Sequence, residues 1–395
     1  MELLWFFGFW MLALMMSLPS LESLGNLKGK YVLLRAGLNV PVEDGWVTND
    51  FRLKRLLPTL QALHTAGACT VVLGHLGSEE PWTLAPVEQY FSRELPTRFL
   101  AKPPHLVTRD ELTIEEGEFL FLENVRMSPG EKENDPVLGK RIASLGDVFI
   151  NEAFADSHRK HASIVGPPQY LPSAFGLDFE HELQELSKAF TPLAPFVAII
   201  GGAKIATKLP LVEKLLVKAD RVYIAGALAN TMYKARGDEI GRSVYDASEE
   251  RVAKKLLAQK NIFVPEEVVV RAKNGTSIAK AANAVLPDEN ILDAGPNAVM
   301  EIAEACKQAQ FVLWNGPLGH FESGFRAGTD ALAEALSRVK AHTIVGGGDT
   351  ISSIETLKLF DKFSFVSTGG GAMLDFLATE TLPGIDAIVR RDTEC

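Results

Sequence analysis

The sequence predicts an α/β fold with two domains, each built on a mostly parallel sheet that helices cover. Strand-like apolar runs alternate with helix-like segments from residue 31 onward, which is the pattern of parallel sheets. A chain of 395 residues is too long for one ordinary core, so two domains are expected. Glycine-rich segments follow strand-like runs of the second half, as they do where such sheets bind ligands.

The composition excludes several classes of protein. The formal charge is −10, from 40 basic and 50 acidic residues, whereas binding to nucleic acid requires a basic face. We therefore expect no nucleic-acid partner, and a local basic cluster wherever an anion binds. Cys69, Cys306 and Cys395 lie far apart, which predicts neither a disulfide framework nor a zinc site and favours a reducing compartment.

Residues 3–18 form a nearly continuous apolar run. The run is short for a membrane span, and Glu2 precedes it where a signal peptide carries Lys or Arg. Three interpretations compete: a weak export signal or anchor, a buried extra segment, or a translation start assigned too far upstream. We favour the last, because Met16 begins a stretch that leads normally into the first strand.

Polar residues follow each strand-like run of the first half. The predicted strands are residues 31–34, 70–73, 119–122 and 148–150. The residues that follow them are Asn39, Arg52, His75, Asn124, Arg126, His158, Arg159 and His161. Ligands bind at the carboxyl ends of parallel strands, so these side chains are expected to surround a phosphate or carboxylate. Taken singly, each could instead pair with a surface carboxylate.

Two helices are predicted from apolar spacing. The first carries Leu53, Leu56, Leu57, Leu60 and Leu63 on one face, after a cap at Asn49 or Asp50. The second covers residues 177–190, where prolines end it, and looks like a connection between two domains. Further predicted strands are residues 196–200, 221–224, 262–264, 311–313, 343–345 and 363–366.

The stretch VAIIGGAKIATK, residues 197–208, joins an apolar run to Gly201, Gly202, Lys204 and Lys208. It predicts a buried strand, a glycine turn and then a helix over residues 209–218 with Pro210 at its first position. Backbone N–H groups, a helix N-terminus and lysines together suit a phosphate. This stretch alone supports equally well the alternative that the glycines only turn the chain and the lysines are solvated.

Four other strand exits in the second half are rich in small residues: GALAN at Gly226, WNGPLGHFE at Trp314, GGGDT at Gly346 and STGGGA at Ser367. Together they predict a long site for a polyphosphate nucleotide, without a Walker A or GxGxxG pattern. Asp349 is a candidate Mg²⁺ ligand, although a lone Asp after glycine is more often a helix cap. A basic first half and a glycine-lined second half favour phosphoryl transfer.

From about Leu27 to Asp386 the chain resembles the phosphoglycerate kinase family. The resemblance is carried by RAGLNVP, GHLG, LENVR, INEAFADSHRKHAS, GGAK, WNGP, FE, GGGDT and STGGGA, in the family's order. It implies two Rossmann-like domains with parallel sheets, joined by a connecting helix and hinge. The implied divisions are an acid-substrate domain at 27–176 to which residues 380–395 return, a connecting helix at 177–192, and a nucleotide-binding domain at 193–379. Residues 1–26 are expected to be an extension outside the core.

The resemblance also implies a reaction and its ligands. The implied activity is reversible phosphoryl transfer between ATP and 3-phosphoglycerate, giving ADP and 1,3-bisphosphoglycerate in glycolysis or gluconeogenesis. Mg²⁺ with ATP or ADP is the implied cofactor, and hinge closure accompanies transfer. A monomer in the cytoplasm is expected, with no membrane partner unless the apolar N-terminus is retained.

Motif by motif, the resemblance implies roles for individual residues. The implied acid-substrate residues are Asn39, Arg52, His75, Arg126 and Arg159. The implied nucleotide-binding residues are Gly202, Lys208, Gly226, Asn315, Pro317, Glu322 at the ribose, Gly348, Asp349 as metal ligand, and Thr350. The implied catalytic groups are Arg52, Lys204 and a helix N-terminus at Gly369, Gly370 and Gly371.

Three positions depart from the family pattern: Gly37 and Thr207 replace Asp, and Ser78 replaces Arg. Gly37 and Ser78 fall in the acid-substrate motifs, where a lost charge-assisted contact costs ~1.5–3 kcal/mol. One alternative is therefore a catalytically impaired, kinase-like protein that binds nucleotide or regulates, and another is an enzyme of this fold for a different carboxylate. We place the active kinase first, because Arg52, Lys204 and the other implied charged residues are all present.

Overall fold

The computed structural model describes residues 18–77, 82–203 and 205–392, without the side chains of residues 205–207, 391 and 392. The described chain divides into two compact units. Unit 1 comprises the residues up to Gln184 and those from Thr379 onward, and unit 2 is Glu185–Ala378. The predicted start at Met16 lies outside the described residues.

Unit 1 is built on a parallel six-stranded sheet within the described residues. Its strands are β1 (Tyr31–Ala36), β4 (Cys69–Leu73), β5 (Thr97–Leu100), β6 (Phe119–Leu122), β7 (Val148–Glu152) and β8 (Ser173–Phe175), and a hairpin of β2 (Val42–Glu43) and β3 (Trp46–Val47) follows β1. The order across the sheet is β5-β6-β4-β1-β7-β8. Strands β4 and β6 are buried along their whole length, as expected where helices cover both faces.

The helices of unit 1 before its boundary are α1 (Phe51–Thr65), α2 (Ala85–Phe91), α3 (Pro136–Ala143) and α4 (Ala162–Val165), and helix α5 (Leu177–Ser187) crosses the boundary after Gln184. The predicted apolar face of α1 is confirmed at Leu53, Leu56, Leu60 and Leu63, which are buried, while Leu57 is partly buried. Asp50 is the N-cap residue without a capping side-chain bond, and Asn49 Oδ1 accepts the Phe51 N–H at 3.1 Å.

A buried carboxylate at the end of β7 caps the start of α5. Glu152 accepts the N–H groups of Asp178 and Phe179, each at 3.0 Å, and a short hydrogen bond from the Thr59 hydroxyl. Burial raises the pKa of Glu152 to about 8, with the Asp178 charge adding to the effect. These bonds satisfy N–H groups that a helix start otherwise leaves without partners.

Unit 2 contains a second parallel sheet, in the order β11-β10-β9-β15-β16-β17. Its strands are β9 (Phe196–Ile200), β10 (Arg221–Ile224), β11 (Ile262–Phe263), β15 (Phe311–Asn315), β16 (His342–Gly346) and β17 (Phe365–Val366). Its helices are α6 (Ile205–Lys218), α7 (Ala227–Arg236), α8 (Glu250–Leu257), α9 (Pro296–Lys307), α10 (Ala327–Leu336), α11 (Gly348–Thr356) and α12 (Gly371–Thr379), the last of which ends at the boundary with unit 1. The predicted α/β class with two parallel sheets is confirmed.

An antiparallel sheet in unit 2 was not predicted. It consists of β12 (Glu267–Arg271), β13 (Ser277–Ala281) and β14 (Asn290–Ala294), in the order β13-β12-β14. Strand β13 is mostly exposed and carries no apolar run, so its sequence gives little strand signal. Val268 and Val270 of β12 pack with Ala229 and Tyr233 of α7 in a separate small core.

The prediction for the helix after the glycine turn was wrong at its start. Helix α6 begins at Ile205, one turn before the predicted Leu209, and Pro210 lies inside it. A proline at the first position loses no helical hydrogen bond, and this placement motivated the prediction. In the structure the proline stands inside the helix, so its missing N–H cannot contribute an intrahelical bond.

The boundary of the predicted N-terminal extension also needs correction. Leu21 and Leu24, in a short 3₁₀ helix, pack against the core of unit 1, and Phe175 donates its N–H to the Pro19 carbonyl at 2.9 Å. Any extension outside the core therefore ends before Pro19 rather than at residue 26.

The C-terminal helix α13 (Pro383–Asp392) belongs to unit 1. Gly384 donates its N–H to the carbonyl of Ser157 at 2.9 Å. A Cβ atom at Gly384 would lie 2.6 Å from the Ser157 hydroxyl, so a residue without a side chain permits this close approach.

No helix in the described part of the chain is both long enough and apolar enough to span a bilayer.

Candidate active site

A buried ion pair organises the basic pocket of unit 1. Arg35, near the end of β1, is 1% exposed and donates to Asp156 Oδ2 and to the Ser163 hydroxyl, each at 3.0 Å. Burial would raise the pKa of Asp156, but the charge of Arg35 and the hydrogen bond from His75 outweigh it and hold that pKa below its usual range. Asp156 is therefore a fixed anion among basic side chains.

His75 follows β4 and contacts the same carboxylate. Its Nδ1 lies 3.3 Å from Asp156 Oδ2 and 3.4 Å from Nη2 of Arg35. Burial lowers the pKa of His75, while the charge and hydrogen bond of Asp156 act in the opposite direction. We assign the Nδ1–H tautomer, because the anion requires a donor, and this assignment leaves Nε2 as an acceptor.

Three of the other predicted residues meet around Gly77. Asn39 accepts the Gly77 N–H on Oδ1 at 3.1 Å, and its own carbonyl accepts from Arg52 Nη1 at 2.6 Å. Arg126 donates from Nη1 to the Gly77 carbonyl at 2.6 Å. Burial lowers the pKa of both arginines, but an arginine remains charged across the physiological range. Two guanidinium groups and an amide are thus fixed beside one loop.

Arg159 is exposed at the edge of this cluster. Its Nε donates to Nε2 of His158 at 3.1 Å, and its charge is among the causes, after burial and Asp156, that act on the pKa of Arg126. His161 is buried instead, and burial lowers its pKa to about 4, so it is neutral at physiological pH. The structure therefore brings the five implied acid-substrate residues into one neighbourhood but gives His161 an internal position.

Asn124, which the sequence placed near the pocket, supports the loops around it. Its Nδ2 donates to the carbonyls of Leu76 and Trp82, at 2.7 and 2.8 Å, and its Oδ1 accepts the N–H of Arg126. All polar atoms of its side chain are used in these bonds. Asn124 is therefore better described as a scaffold residue than as a ligand.

The departure at Gly37 leaves room for a side chain. A Cβ atom there would lie 3.7 Å from the Glu152 carbonyl and 3.8 Å from Cδ of Arg52, which are ordinary contacts. The backbone of Gly37 is not in the left-handed region. Glycine is therefore not required at this position by packing. Ser78, the second departure, lies outside the described residues.

Sequence reasoning missed the internal supports of this pocket. Glu131 is 1% exposed and accepts from both the N–H and the hydroxyl of Ser163, at 2.9 and 2.5 Å. The Ser163 hydroxyl in turn accepts a hydrogen bond from Nε of Arg35. The sequence did contain one indication of a buried ion pair, the arginine inside the apolar strand YVLLRA. A charged side chain in such a strand is seldom buried without a partner.

The glycine turns of unit 2 approach one another closely. Gly226 has φ +64°, and a Cβ atom there would lie 2.8 Å from the Gly202 nitrogen and 3.0 Å from the Pro317 carbonyl oxygen. Gly202 has φ +106° and accepts the N–H of Leu228 at 3.0 Å. Only glycine tolerates both the backbone conformation and the contact. Predicted residues from three separate loops are therefore adjacent.

Lys208 lies between these turns. Its Nζ donates to the Gly201 carbonyl at 2.5 Å and to Asn315 Oδ1 at 3.0 Å. A Cβ atom at Gly202 or Gly316 would stand 3.1 or 2.8 Å from the same nitrogen. Burial lowers the pKa of Lys208 to about 8, and the charge of Asp349 acts against that shift. The ammonium is held by neutral oxygens and has Asp349 as a nearby counter-charge.

A cavity of about 370 Å³ opens beside the glycine turns, within the size range of small-molecule sites. Predicted residues in its wall are Gly202, Gly226, Pro317, Glu322 and Asp349. Tyr233, Val244, Val268 and Leu318 supply apolar and aromatic surface. Strand β14 and helix α7 also line this cavity. Only the side of the site that faces the phosphates was predicted from the sequence.

Helix α11 begins beside this cavity after Gly347, which has φ +97°. Gly348 is exposed and Asp349 is half-buried in the first turn, where burial and then Glu322 raise the pKa of Asp349. Thr350 is fully buried, and its hydroxyl has no hydrogen-bond partner among the described residues. In this conformation its hydroxyl is not accessible to a phosphate.

Asp349 fits a magnesium ion that a nucleotide brings with it. Mg²⁺ is usually held by one or two carboxylates together with phosphate oxygens. Asp349 supplies one carboxylate at the cavity wall. The described residues contain no cluster of three metal-ligating side chains, so a complete protein-only site is not part of this region.

The remaining implied catalytic groups are partly described. Gly370 has φ +53°, and helix α12 begins at the next residue, Gly371. The N–H of Gly369 is bonded to the Ser367 hydroxyl at 3.1 Å. Gly370 and Gly371 therefore form a helix N-terminus, which favours anions. Lys204 and the side chain of Thr207 lie outside the described residues.

Comparison with known proteins finds similar chains along most of this sequence. The family model "Phosphoglycerate kinase" matches residues 21–380. The chain is 40% identical over 383 residues to "Phosphoglycerate kinase" of Haemophilus influenzae (strain PittGG), covering 93% of this chain and 97% of the relative.

Solved structures agree in fold and extent. The phosphoglycerate kinase of Coxiella burnetii superposes with a TM-score of 0.82 at 38% identity, covering 95% of this chain and 99% of that chain. The phosphoglycerate kinase of Pyrococcus horikoshii OT3 gives 0.86 at 29% identity, covering 96% and 100%. With this coverage and identity, the chain belongs to the phosphoglycerate kinase family.

Proposed function

We propose that this protein catalyses reversible phosphoryl transfer between ATP and 3-phosphoglycerate, giving ADP and 1,3-bisphosphoglycerate. The observation that carries the proposal is the presence of two complementary sites in one chain. Unit 1 holds Asn39, Arg52, His75 and Arg126 around Asp156 and Gly77. Unit 2 holds a glycine-lined cavity with Lys208 close by and Asp349 in its wall.

The chemistry of the reaction suits groups of this kind. The acceptor is a carboxylate with a reference pKa of about 4, so it is ionised at neutral pH and needs no general base. Rate enhancement must then come from positioning and from positive charge around a loose transition state. We assign positioning of the acid substrate to Asn39, His75 and Arg126, and transition-state charge to Arg52 and Lys204.

On the nucleotide side, Gly202, Gly226, Asn315 and Pro317 are assigned to the wall of the site, and Lys208 to the phosphates. Glu322 is assigned to the ribose. Asp349 would hold a magnesium ion, which when bound neutralises charge on the phosphate oxygens. The helix N-terminus at Gly370 and Gly371 is assigned to the transferring phosphoryl group, because its N–H groups favour negative charge.

The remaining features of the proposal come from the family. They are an acid-substrate domain that ends at residue 176, a nucleotide-binding domain at residues 193–379, hinge closure that excludes water during transfer, a monomeric state and a cytoplasmic location. Water exclusion is required because ATP would otherwise be hydrolysed. A kinase-like protein without turnover gains no support from the comparisons, despite Gly37, Ser78 and Thr207.

A coupled assay for 3-phosphoglycerate-dependent ATP consumption in the presence of Mg²⁺ tests the proposal. We expect turnover by the wild-type protein and a fall of at least about 100-fold in kcat/KM for Arg52→Ala, equivalent to ~2.7 kcal/mol. The matched control is Arg141→Ala, an exposed arginine of the same unit, which should behave as wild type. Absence of turnover together with intact ADP binding would replace the kinase by a nucleotide-binding protein.

A further inference from the structure

Asn230 carries a buried polar atom without a partner in the wall of the cavity beside the glycine turns. It lies in α7 and is 4% exposed. Its Nδ2 donates to the carbonyl of Val244 at 3.0 Å, whereas its Oδ1 is buried and accepts no hydrogen bond from the described residues. An amide oxygen in this state costs free energy that a donor from a ligand would recover.

The bond to Val244 fixes which atom of the Asn230 amide is the acceptor. A backbone carbonyl can only accept, so the amide nitrogen must face it and the amide cannot be flipped. Val244 lines the cavity together with Asn230. Asn230 therefore ties the loop around Val244 to α7 and keeps its own carbonyl oxygen available for a donor.

Asn230 also lies on the side of the cavity where the base of a nucleotide would lie. Gly226, Asn230 and Tyr233 all line the cavity, at intervals of four and three residues, which share one face of a helix. A rise of 1.5 Å per residue puts Asn230 about 6 Å along the helix from Gly226. A nucleotide with its phosphates at the glycine turns therefore has its base on the apolar side of the cavity, against Asn230.

The hydrogen-bonding groups on this side of the cavity favour a ligand that donates. Both hydroxyl side chains in the described wall, those of Tyr233 and Ser243, already donate to the carbonyls of Pro265 and Ile240. Asn290, at the start of β14, lines the cavity as well, and its Oδ1 also has no partner among the described residues. Two amide oxygens thus require an N–H or O–H group.

We propose that Asn230 is a specificity-determining residue of the nucleotide site, whose Oδ1 accepts a hydrogen bond from the 6-amino group of adenine. The proposal rests on the proposed function, since it takes the ligand of this cavity to be ADP or ATP. The 6-amino group of adenine is a donor, whereas the 6-oxo group of guanine or hypoxanthine is an acceptor. An oxo group would place two acceptors face to face, so the site prefers adenine nucleotides.

Two other side chains of the wall carry donors that an oxo group could use. Arg242 and His320 line the cavity, but both are exposed. Exposed donors exchange a ligand for water at little net cost, whereas Oδ1 of Asn230 is shielded from water. The buried acceptor therefore decides the preference.

The test compares the Kd values of MgADP and MgIDP by calorimetry at pH 7.5, because IDP carries an oxo group in place of the amino group. We expect wild type to bind MgADP at least about tenfold more tightly than MgIDP, and Asn230→Ala to reduce this ratio to about twofold or less. The ratio removes any general weakening that follows from the lost bond to Val244.

Asn261→Ala is the matched control for this comparison. The amide of Asn261 also donates to backbone carbonyls, those of Leu216 and Ala219, but Asn261 is not among the residues that line the cavity. Its ratio of Kd values should equal that of wild type. A ratio that falls in Asn290→Ala but not in Asn230→Ala would move the role to Asn290 and contradict the proposal.

Measurements on wild type alone separate this proposal from the proposed function and do not depend on a variant that folds. A ratio near one would show that Asn230 does not recognise the base, while the nucleotide site itself would stand. Failure to bind either nucleotide would overturn both. In a crystal structure with MgADP, the amino nitrogen of adenine should lie within ~3.2 Å of Oδ1 of Asn230. A base bound out of reach of this oxygen would overturn the proposal.

Discussion

The ammonium group of Lys208 donates a hydrogen bond to Oδ1 of Asn315 across 3.0 Å. Because an ammonium has no acceptor, this bond fixes the orientation of the Asn315 amide. The amide nitrogen then lies 3.6 Å from the sulfur of Met373, which can accept its hydrogen. A chain of contacts from α12 through β15 to α6 thus sets the position of one positive charge.

The charge of Lys208 should respond to nucleotide binding. Its pKa of about 8 in the free protein comes from burial, so the group is charged below pH 8 and increasingly neutral above it. A bound phosphate favours the charged form and raises this pKa. We expect MgADP binding at about pH 8.5 to take up a fraction of a proton, measured by calorimetry in two buffers with different ionisation enthalpies.

Lys208→Arg provides the control for proton uptake. Arginine keeps the positive charge throughout this pH range, so binding by the variant, even if weaker, should not depend on the buffer. Buffer-independent binding enthalpy in wild type at pH 8.5 would show that Lys208 is not the titrating group or does not contact the phosphates.

Met373 should stabilise unit 2 through Asn315 as well as by packing. Met373→Leu keeps the volume but removes the acceptor for the buried Asn315 amide, so we expect a loss of ~1–3 kcal/mol in the free energy of unfolding. Leu377→Met is the matched control, since Leu377 is buried on the same helix. Urea unfolding measures both. Equal, small losses would show that the sulfur contact contributes nothing beyond packing.

The sheets could be predicted from the sequence because buried parallel strands are almost wholly apolar. Phe119–Leu122, Phe196–Ile200 and Arg221–Ile224 have the predicted limits, and the other predicted strands differ from the structure by up to two residues at an end. Strand β13 could not be found this way, because its side chains are mostly exposed and its stability comes from pairing with β12. The hydrophobic pattern of a sequence indicates which residues are buried, and β13 has mostly exposed residues.

The site was predictable only in part, because several of its contacts join residues distant in sequence. Arg35 and Asp156 are 121 residues apart, and Lys208 and Asn315 are 107 apart. Motifs identified Lys208 and Asn315 separately, but neither spacing nor charge indicated that they share a hydrogen bond. Asp293 carried no signal, although in the fold its two carboxylate oxygens accept the N–H groups of Ala294 and Gly328.

Gly226 should be essential for the shape of the nucleotide site. Gly226→Ala places a Cβ atom 2.8 Å from the Gly202 nitrogen and 3.0 Å from the Pro317 carbonyl oxygen, so the turns must separate. We expect at least a tenfold rise in the Kd of MgADP, equivalent to ~1.4 kcal/mol, measured by calorimetry at pH 7.5.

Gly237→Ala separates backbone strain from steric conflict at Gly226. Gly237 also has a positive φ, of +98°, but a Cβ atom added there would have no other atom within 4 Å. The variant should lose ~1–2 kcal/mol of stability for the left-handed backbone while binding MgADP normally. Similar losses of affinity in both variants would mean that strain, rather than the close approach of the turns, is responsible.

Gly37→Asp should strengthen the acid-substrate site. A Cβ atom at residue 37 would make only ordinary contacts, one of them with Cδ of Arg52, and the family has an aspartate at this point of the motif. We expect the KM for 3-phosphoglycerate to fall by at least about tenfold, with the KM for ATP unchanged, because one charge-assisted hydrogen bond contributes ~1.5–3 kcal/mol. Combination with Ser78→Arg should lower the KM further.

Gly37→Asn is the control of similar size without the charge. The decrease that it causes in the KM for 3-phosphoglycerate, expressed as a free energy, should be less than half of the decrease that Gly37→Asp causes. Parallel changes in the KM values of both substrates would show that residue 37 acts on the protein as a whole rather than on the acid-substrate site.

Asp156 should contribute to stability in a pH-dependent way. Its pKa is held below the usual range by Arg35 and His75 despite burial, so its contribution is complete above the unfolded pKa of about 4 and is lost as the pH falls through the folded pKa. Asp156→Asn leaves Arg35 buried without its counter-charge, and we expect a loss of ~3–5 kcal/mol at pH 7 in urea unfolding. The difference from wild type should shrink below about pH 4.

Asp110→Asn, at an exposed position of the same unit, should change stability by under ~0.5 kcal/mol. A difference between wild type and Asp156→Asn that stays constant from pH 7 to pH 3 would mean that packing, rather than the carboxylate charge, stabilises this part of unit 1.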